Sequence, residues 1–297
     1  MQPIGGKGRP PLADLFVGKR MNEITIQSID DLHMLSQRLD FHIFRGQRDD
    51  WLLKSKLFRT LEAFGIEKGN YRNRENNLIR EFQSRVRLYK DVKLLPTDNL
   101  GCYSLMQHFG APTRFLDFTS SIYVASFFAV EDVEHKKDSF IWCLNEMMIR
   151  DSIAPRENIS ALDGNDKEAQ YEAMREIAGN CLSSTDSKES KFLILDPREK
   201  NERISRQQGL FVFPLNIGDS IEDILIRTYG CEDTFHKVPV ASYNKVNAKE
   251  LALRIRIPSD LRQNILKNLN KMNVNHEVLF PGLDGFCKSM YLHVSLF

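Results

Sequence analysis

The spacing of apolar residues along the chain predicts an irregular succession of strands and helices. The clearest strand is 251–257, in which leucine and isoleucine alternate with Arg254 and Arg256, and helical spacing follows over 261–269. Further strands are predicted at 24–26, 41–44, 114–118, 140–144, 192–195 and 210–213, and further helices at 32–39, 74–91, 122–130, 166–177 and 221–229. Because no steady βαβ alternation occurs, we predict an α+β fold with a mixed or antiparallel central sheet surrounded by helices.

Residue types at the ends of these segments predict several helix boundaries. Ser28 and Asp31 form a capping-box pattern, and Asn99 and Asn201 are good N-cap residues for two short helices. Gly179 is expected to end the helix predicted at 166–177, because glycine favours the residue just past a helix end.

Most of the 297-residue chain is expected to fold as one domain. Residues 1–21 contain many glycine, proline and basic residues, which is typical of a flexible tail. Residues 22–297 are long enough to bury a sizeable core. We interpret the region at about 150–190 as an insertion in this domain.

Composition excludes several classes of protein. The net charge of +1 creates no strong overall field for nucleic acid or an acidic membrane. The five cysteines are far apart and never form a C-x-x-C pair, which favours reduced thiols in a cytoplasmic protein. No apolar run is long enough for a signal peptide or a membrane span, and the histidine spacing predicts no metal site.

The stretch 107–121 concentrates residues that suit an anion. After the strand 114–118, three hydroxyl residues lead into the helix 122–130, and the unpaired N–H groups at a helix start attract negative charge. Arg114 and Asp117 are predicted at the rim of that site. The alternative is an ordinary buried corner between strand and helix with an internal Arg–Asp pair.

Three other positions are candidates for binding or catalysis. Arg45 ends a strand and is followed by Gly46, so its guanidinium could form two bonds to a phosphate or carboxylate while backbone or ligand comes close to the glycine. His108 is either a base or a helix-end histidine bonded to a carbonyl. Gln208 either bonds the backbone or presents its amide to a base or ribose.

Four motifs together resemble the FRG domain family, which is named for the first of them. They are Phe44-Arg45-Gly46, the stretch 107–119 (Gln-His-x-Gly-x-Pro-Thr-Arg-x-Leu-Asp-x-Thr), Gln208-Gly209-Leu210-Phe211, and the stretch 279–285 (Leu-Phe-Pro-x-Leu-Asp-Gly). The resemblance covers about residues 25 to 290. Members of the family occur mainly in bacteria and phages, and membership does not by itself name a reaction.

A weaker resemblance does suggest a reaction. The arginine-class mono-ADP-ribosyltransferases carry an aromatic-Arg-Gly motif, a Ser-Thr-Ser motif and a Glu-x-Glu motif that opens a strand. Phe44-Arg45-Gly46, Thr119-Ser120-Ser121 and the stretch 277–281 (Glu-Val-Leu-Phe-Pro) are similar to these three. This resemblance implies an ADP-ribosyltransferase-like fold with NAD as substrate.

The same resemblance implies roles for individual residues. Glu277 would stabilise the oxocarbenium-like ribose that forms when the nicotinamide–ribose bond breaks, and Arg45 would hold the pyrophosphate. Asn275 stands where arginine-modifying transferases have a first Glu or Gln, so arginine as acceptor is doubtful and the acceptor stays open between protein and nucleic acid. The alternative for Glu277 is a surface carboxylate beside His276.

The predicted site therefore has two parts. The catalytic candidates are Glu277, Arg45 and His108, and the candidates for binding the dinucleotide are Arg45, Gly46, Gln47, Thr113, Arg114, Asp117, Thr119, Ser120 and Gln208.

Three functions remain open at this point. The first is an NAD-consuming enzyme that acts as a bacterial toxin or phage-defence effector. The second is a module that senses a nucleotide without turnover, and the third is a metal-independent nuclease that uses His108, Arg114 and Asp117. All three require the fold to bring Arg45 and Arg114 together with the region of Gln208 or Glu277.

Overall fold

The computed structural model describes residues 19–89, 96, 98–153, 167–183, 189–197, 201–243 and 250–296. Most of the predicted tail, residues 1–18, therefore lies outside the described residues, as do parts of the predicted insertion. The first strand begins at Lys19, so residues 19–21 belong to the sheet and the predicted tail boundary was wrong by those residues.

The described strands form one mixed sheet of eight strands, which confirms the predicted class of sheet. The strands are β1 Lys19–Thr25, β2 His42–Gln47, β3 Leu116–Thr119, β4 Ser139–Asn145, β5 Phe192–Leu195, β6 Gly209–Pro214, β7 Cys231–Val238 and β8 Ala252–Ile257. Their order across the sheet is β5-β6-β3-β2-β4-β8-β1-β7. Strand β1 is parallel to β7 and β8, whereas the other neighbours are antiparallel.

Helices cover both faces of this sheet. Within the described ranges they are α1 Ile29–Ser36, α2 Lys56–Ala63, α3 Tyr71–Arg85, α4 Asn99–His108, α5 Ile122–Val130, α6 Glu146–Ile153, α7 Lys167–Ser183, α8 Glu202–Arg206, α9 Ile221–Tyr229, α10 Arg262–Lys271, α11 His276–Leu279 and α12 Leu283–Leu296. None of these helices combines the length and the apolar character needed to cross a membrane.

Strand β4 separates the two main layers of the core. All of its residues are buried, and its alternating side chains point to opposite faces. Trp142 and Leu144 pack in the cluster that includes side chains of α3, α4, α7 and α9. Ile141 and Cys143 pack in the cluster that includes side chains of α1, α5 and α10. The sheet is therefore buried on both sides at its centre.

Two predicted helix boundaries were wrong because tertiary packing or a neighbouring residue decides them. Helix α7 continues past Gly179 to Ser183, since Ala178 and Leu182 are buried in the main cluster and their burial outweighs the roughly 1 kcal/mol cost of a helical glycine. Helix α4 is capped by Asp98, whose carboxylate accepts from the N–H of Gly101, and not by Asn99. The described part of the predicted insertion thus contributes to the main core.

Gly46 lets helix α5 lie against strand β2. A Cβ atom at Gly46 would overlap the carbonyl oxygen of Ala125 and would lie 2.7 Å from the backbone nitrogen of Ala129. The missing side chain of this glycine therefore makes room for the backbone of α5. Arg45 and Gln47 are the neighbours of Gly46 in the strand, so their side chains point to the opposite face.

A buried ion pair joins β3 to the helices on the main side of the sheet. The guanidinium of Arg114 donates from Nε to Glu75 Oε1 at 2.6 Å and from Nη1 to the carbonyl oxygen of Leu215 at 2.8 Å. Arg114 is 1% exposed and Glu75 is fully buried. Tyr103 and Arg72 also donate to the carboxylate of Glu75. Burial alone would raise the pKa of Glu75, but the charge of Arg114 and these bonds lower it below its usual range.

Replacing Arg114 by methionine is expected to lower the free energy of unfolding by about 3 to 5 kcal/mol, because the carboxylate of Glu75 is then buried without its main partner. Urea unfolding monitored by circular dichroism measures this loss. Arg85→Met is the matched control, since Arg85 pairs with Glu81 on the same helix but is 66% exposed. The control should change stability by less than about 1 kcal/mol.

The pH dependence of this difference provides a second check. The folded pKa of Glu75 lies below its unfolded value, so the ion pair stabilises the fold above the unfolded pKa and loses that contribution as the pH falls through the folded pKa. The difference in the free energy of unfolding between the wild type and Arg114→Met should therefore become smaller below about pH 4.3. A gap that stays constant in acid would contradict the assignment of the effect to this pair.

Gly46→Ala is expected to destabilise the protein by about 1 to 3 kcal/mol, because the added methyl group meets the backbone of α5. Thermal unfolding measures the change. Gly69→Ala is the control, since nothing lies within 4 Å of a Cβ atom at that position. Equal stability of the two variants would show that α5 can move away from β2 at little cost.

Candidate functional site

A cleft of about 970 Å³ opens beside the carboxyl end of β2. Residues of β2, β3, α4, α5 and α8 contribute to its walls, as does the segment 48–54 that follows β2. The polar and charged residues that line it are Arg45, Gln47, Arg48, Asp50, Lys54, Arg59, Glu62, Ser104, Gln107, His108, Asp117, Thr119, Glu131, Asp132, Arg203 and Gln207. The cleft therefore has a strongly charged lining.

Strands β2 and β3 pair through only one pair of residues, Phe44 and Thr119. Beyond this pair, in the direction of Gln47, a side chain replaces the backbone hydrogen bonds between the two strands. Nη1 of Arg45 donates to the carbonyl oxygen of Asp117 at 2.6 Å. The cleft lies where the ladder is missing. Arg45 thus has a structural role in bridging the two strands and also lines the cleft.

Arg45 keeps part of its hydrogen-bonding capacity unused. Its Nε atom is buried and has no hydrogen-bond partner among the residues that the structure describes. Burial lowers the pKa of Arg45; the carboxylate of Asp117 opposes that shift, and the positive charge of Arg59 adds to it. An anion in the cleft would relieve both the burial of this cation and its repulsion by Arg59.

Two further guanidinium groups in the cleft lack a carboxylate partner among the described residues. Nη1 of Arg59 donates only to the carbonyl oxygen of Lys54, at 3.2 Å. The guanidinium carbon of Arg203 lies 4.6 Å from the centre of the ring of Phe280. By contrast, Lys54 forms an ion pair with Glu62 at 2.8 Å. The positive charge of Arg59 and Arg203 is therefore available to a ligand.

The acidic side chains of the cleft are held by protein donors. Nε2 of Gln107 donates to both oxygens of Asp117, at 3.0 and 2.9 Å. Glu131 Oε2 lies 2.8 Å from Nε2 of His276, and Asp132 pairs with a nearby arginine at 2.8 Å. The described residues contain no cluster of three or more histidine, cysteine, aspartate or glutamate side chains that could hold a metal ion.

His108 lines the cleft at the end of α4. Its Nδ1 atom lies 3.2 Å from Nδ2 of Asn201, so the ring is bonded to a side chain and not to the carbonyl that the structural alternative expected. Burial lowers the pKa of His108, and the charge of Arg203 lowers it further. The imidazole is therefore neutral near pH 7, and its ability to act as a base stays a prediction.

Six of the predicted site residues line the cleft: Arg45, Gly46, Gln47, His108, Asp117 and Thr119. Thr119 is occupied by the backbone, since its hydroxyl donates to the carbonyl oxygen of Gln207 and accepts from the N–H of Ser121. Thr113 is buried and does not line the cleft, but its hydroxyl donates to Gln107 and so fixes the amide that holds Asp117.

Arg114 does not reach the cleft. The ion pair with Glu75 holds its guanidinium in the core, which agrees with the buried-corner alternative except that the partner is Glu75 and not Asp117. The binding role predicted for Arg114 therefore lacks the required position. The nuclease hypothesis loses one of its three named groups for the same reason.

The start of α5 also lies away from the cleft. Ser121 caps this helix by accepting from the N–H of Val124, and neither residue lines the cleft. Phe128 near the opposite end of the helix and Glu131, the residue after the helix, contribute to the wall. The anion site expected at the helix start is thus not part of the cleft.

Ser120 and Gln208 line a second, smaller cavity of about 310 Å³. The backbone of Gln208 has a positive φ of 48°, and its carbonyl oxygen accepts from the N–H of Ser120 at 3.1 Å. The side-chain Oε1 of Gln208 accepts from the hydroxyl of Ser120 at 3.4 Å, so this amide oxygen is bonded to a side chain and not to the backbone. Its contact with a base or ribose stays a prediction.

Glu277 is exposed on α11, which is a short helix and not the strand that the transferase motif implies. The reason is local, since Asn275 caps this helix by accepting from the N–H of Val278. Glu277 does not line the cleft, whereas Glu131 does. Among the described residues, the structure brings Arg45, His108 and Asp117 together but not Arg114, Gln208 or Glu277.

Several lining residues were not predicted from the sequence. Arg59 lies on α2, Arg203 lies on the short helix α8, and Glu131 directly follows α5; only the fold brings them to one cleft. Trp51 had a usable signal, since a tryptophan in a polar turn after the Arg-Gly motif is unusual on a surface; it is 44% exposed.

Comparison with protein families gives one result. The family model described as the FRG domain matches residues 41–138, a range that includes Arg45, His108, Asp117 and Glu131. Searches of curated proteins and of solved structures found no match. The motifs at 208–211 and 279–285 lie beyond the matched range. The resemblance seen in the sequence is therefore confirmed for residues 41–138, which match the FRG domain model.

Proposed function

We propose that the cleft binds a nucleotide through its phosphates, with the dinucleotide NAD as the first candidate. The observation that carries the proposal is that Arg59 and Arg203 line one cleft and that, among the described residues, neither guanidinium is bonded to a carboxylate. Guanidinium groups form paired, charge-assisted bonds to phosphate oxygens. The two negative charges of a pyrophosphate match these two guanidinium groups.

The size and lining of the cleft support a ligand of this class. Small-molecule sites have volumes of about 300 to 1,000 Å³, and the cleft is at the upper end of that range. Trp51 and Phe128 line it together with the charged groups. Aromatic faces of this kind stack on nucleotide bases. The weaker resemblance to ADP-ribosyltransferases favours NAD over other nucleotides, and a toxin or phage-defence role in a bacterial or phage setting is part of the same proposal.

Binding of NAD, ADP-ribose and ATP by isothermal titration calorimetry tests the proposal. Arg59→Gln and Arg203→Gln should each weaken binding by at least about tenfold, because each removes a charged hydrogen-bond donor to phosphate. Arg87→Gln is the control, since Arg87 is exposed and does not line the cleft. No binding of any of the three nucleotides, or equal binding by all four proteins, would refute the proposal.

A second candidate function is cleavage of the bound NAD. It is favoured by Glu131, which lines the cleft and whose carboxylate is fixed by His276. In this reaction the bond between ribose C1′ and the nicotinamide nitrogen breaks, and its electron pair leaves with neutral nicotinamide. A water molecule or an acceptor then adds at C1′ with loss of one proton. A fixed carboxylate near the ribose would stabilise the positive charge of the transition state.

Release of nicotinamide, followed by chromatography, tests the second candidate. Glu131→Gln should lower the rate at least about 100-fold while NAD still binds, because the amide cannot balance the developing charge. Glu277→Gln is the control and should keep the wild-type rate. If Glu277→Gln lowers the rate and Glu131→Gln keeps it, the catalytic carboxylate is Glu277, as the transferase resemblance implies. A wild-type protein that binds NAD without releasing nicotinamide would leave nucleotide sensing as the function.

A further inference from the structure

Gln47 is a buried amide with unused hydrogen-bonding capacity in the wall of the cleft. Its side chain extends from the end of β2 and is only 6% exposed. The Oε1 atom is buried and has no hydrogen-bond partner in the part of the chain that the structure describes. Gln47 nevertheless lines the cleft. A buried polar group without a partner costs the free energy of its lost hydration, so its presence here needs an explanation.

The neighbouring amide shows what a structural glutamine does in the same cleft. Gln107 accepts from Thr113 through Oε1 and donates to Asp117 through Nε2, so both ends of its amide are used. Gln47 has no such arrangement, although the two residues line one cavity. The contrast indicates that the partner of Gln47 is a ligand.

The group next to Gln47 narrows the choice of ligand. Arg45 lies two positions earlier on the same face of β2, and its Nε donor is also buried without a partner. Among the described residues, the wall of the cleft thus offers one unpaired acceptor and one unpaired donor from residues two positions apart on one strand. A primary carboxamide carries a donor N–H and an acceptor C=O on one carbon atom, which is the complementary pair.

We infer that Gln47 and Arg45 form a subsite for a primary carboxamide, which in the ligand proposed above is the nicotinamide end of NAD. This inference rests on the proposed function. Gln47 Oε1 accepts from the carboxamide N–H, and Arg45 Nε donates to the carboxamide oxygen. A small protruding group fits this position because the two protein atoms are almost covered. The carboxylate of Asp117 balances the charge of Arg45 and so allows the cationic nicotinamide ring to lie nearby.

Three ligands separate this subsite from the rest of the cleft. NAD carries the carboxamide, its 3-acetylpyridine analogue has a methyl group in place of the amide nitrogen, and ADP-ribose lacks the ring altogether. Calorimetry on the wild-type protein should give binding of NAD about tenfold tighter than binding of the acetylpyridine analogue or ADP-ribose, because only NAD satisfies Gln47.

Gln47→Leu is the decisive variant. This variant should bind NAD about tenfold more weakly than the wild type does, with the affinity of the other two ligands. Its affinity for those two ligands should equal that of the wild type. Its thermal midpoint should equal or exceed that of the wild type, because leucine removes an unpaired buried acceptor; a merely structural glutamine would give a lower midpoint. Gln263→Leu on the exposed side of α10 is the control and should bind all three ligands as the wild type does.

Each outcome has a separate meaning. If Gln47→Leu weakens the binding of all three ligands equally, or of none, the proposed carboxamide subsite is refuted, but nucleotide binding in the cleft is not. If the wild-type protein binds none of the three, the proposed function fails and this inference fails with it.

Discussion

The ion pair between Arg114 and Glu75 is the constraint on which the position of the cleft depends. Two charges are removed from water at the centre of the molecule, which is costly unless each donor and acceptor finds a partner. Arg114 satisfies this condition by bonding Glu75 on α3 and the carbonyl oxygen of Leu215 after β6. Since β3 begins two residues after Arg114, the pair fixes where β3 enters the sheet. It therefore also fixes Asp117, which forms one edge of the cleft.

The cleft itself is a consequence of incomplete pairing between two central strands. Most neighbouring strands of the sheet share several residue pairs, but β2 and β3 share only one. The backbone groups beyond that pair are not satisfied by a ladder, and one of them, the carbonyl of Asp117, accepts from Arg45 instead. The guanidinium of Arg45 is held by this one bond, while its buried Nε has no hydrogen-bond partner among the described residues. The geometry thus combines a structural and a binding role in one side chain.

Local patterns predicted much of the fold and little of the site. The bounds of β5 and α9 agree with their predictions because apolar spacing and a serine cap decide them within a few residues. Strand β7 was not predicted, since its polar sequence has no clear alternation. The partner of Arg114 is Glu75, 39 residues away, and no local pattern distinguishes a buried arginine from one that faces a ligand. Glu277 was misplaced because a short capped helix replaced the strand of the related motif.

Strand geometry explains how a three-residue motif serves both folding and binding. In Phe44-Arg45-Gly46 the outer two residues face α5: Phe44 packs in the core on that side, and Gly46 admits the backbone of the helix. Only Arg45 points to the cleft side, where Gln47 follows it at the next position on that face. Replacing either outer residue would therefore disturb the cleft through the fold. The polar side chains of this segment that line the cleft stand at the alternate positions, Arg45 and Gln47. A motif match alone does not separate the folding role from the binding role.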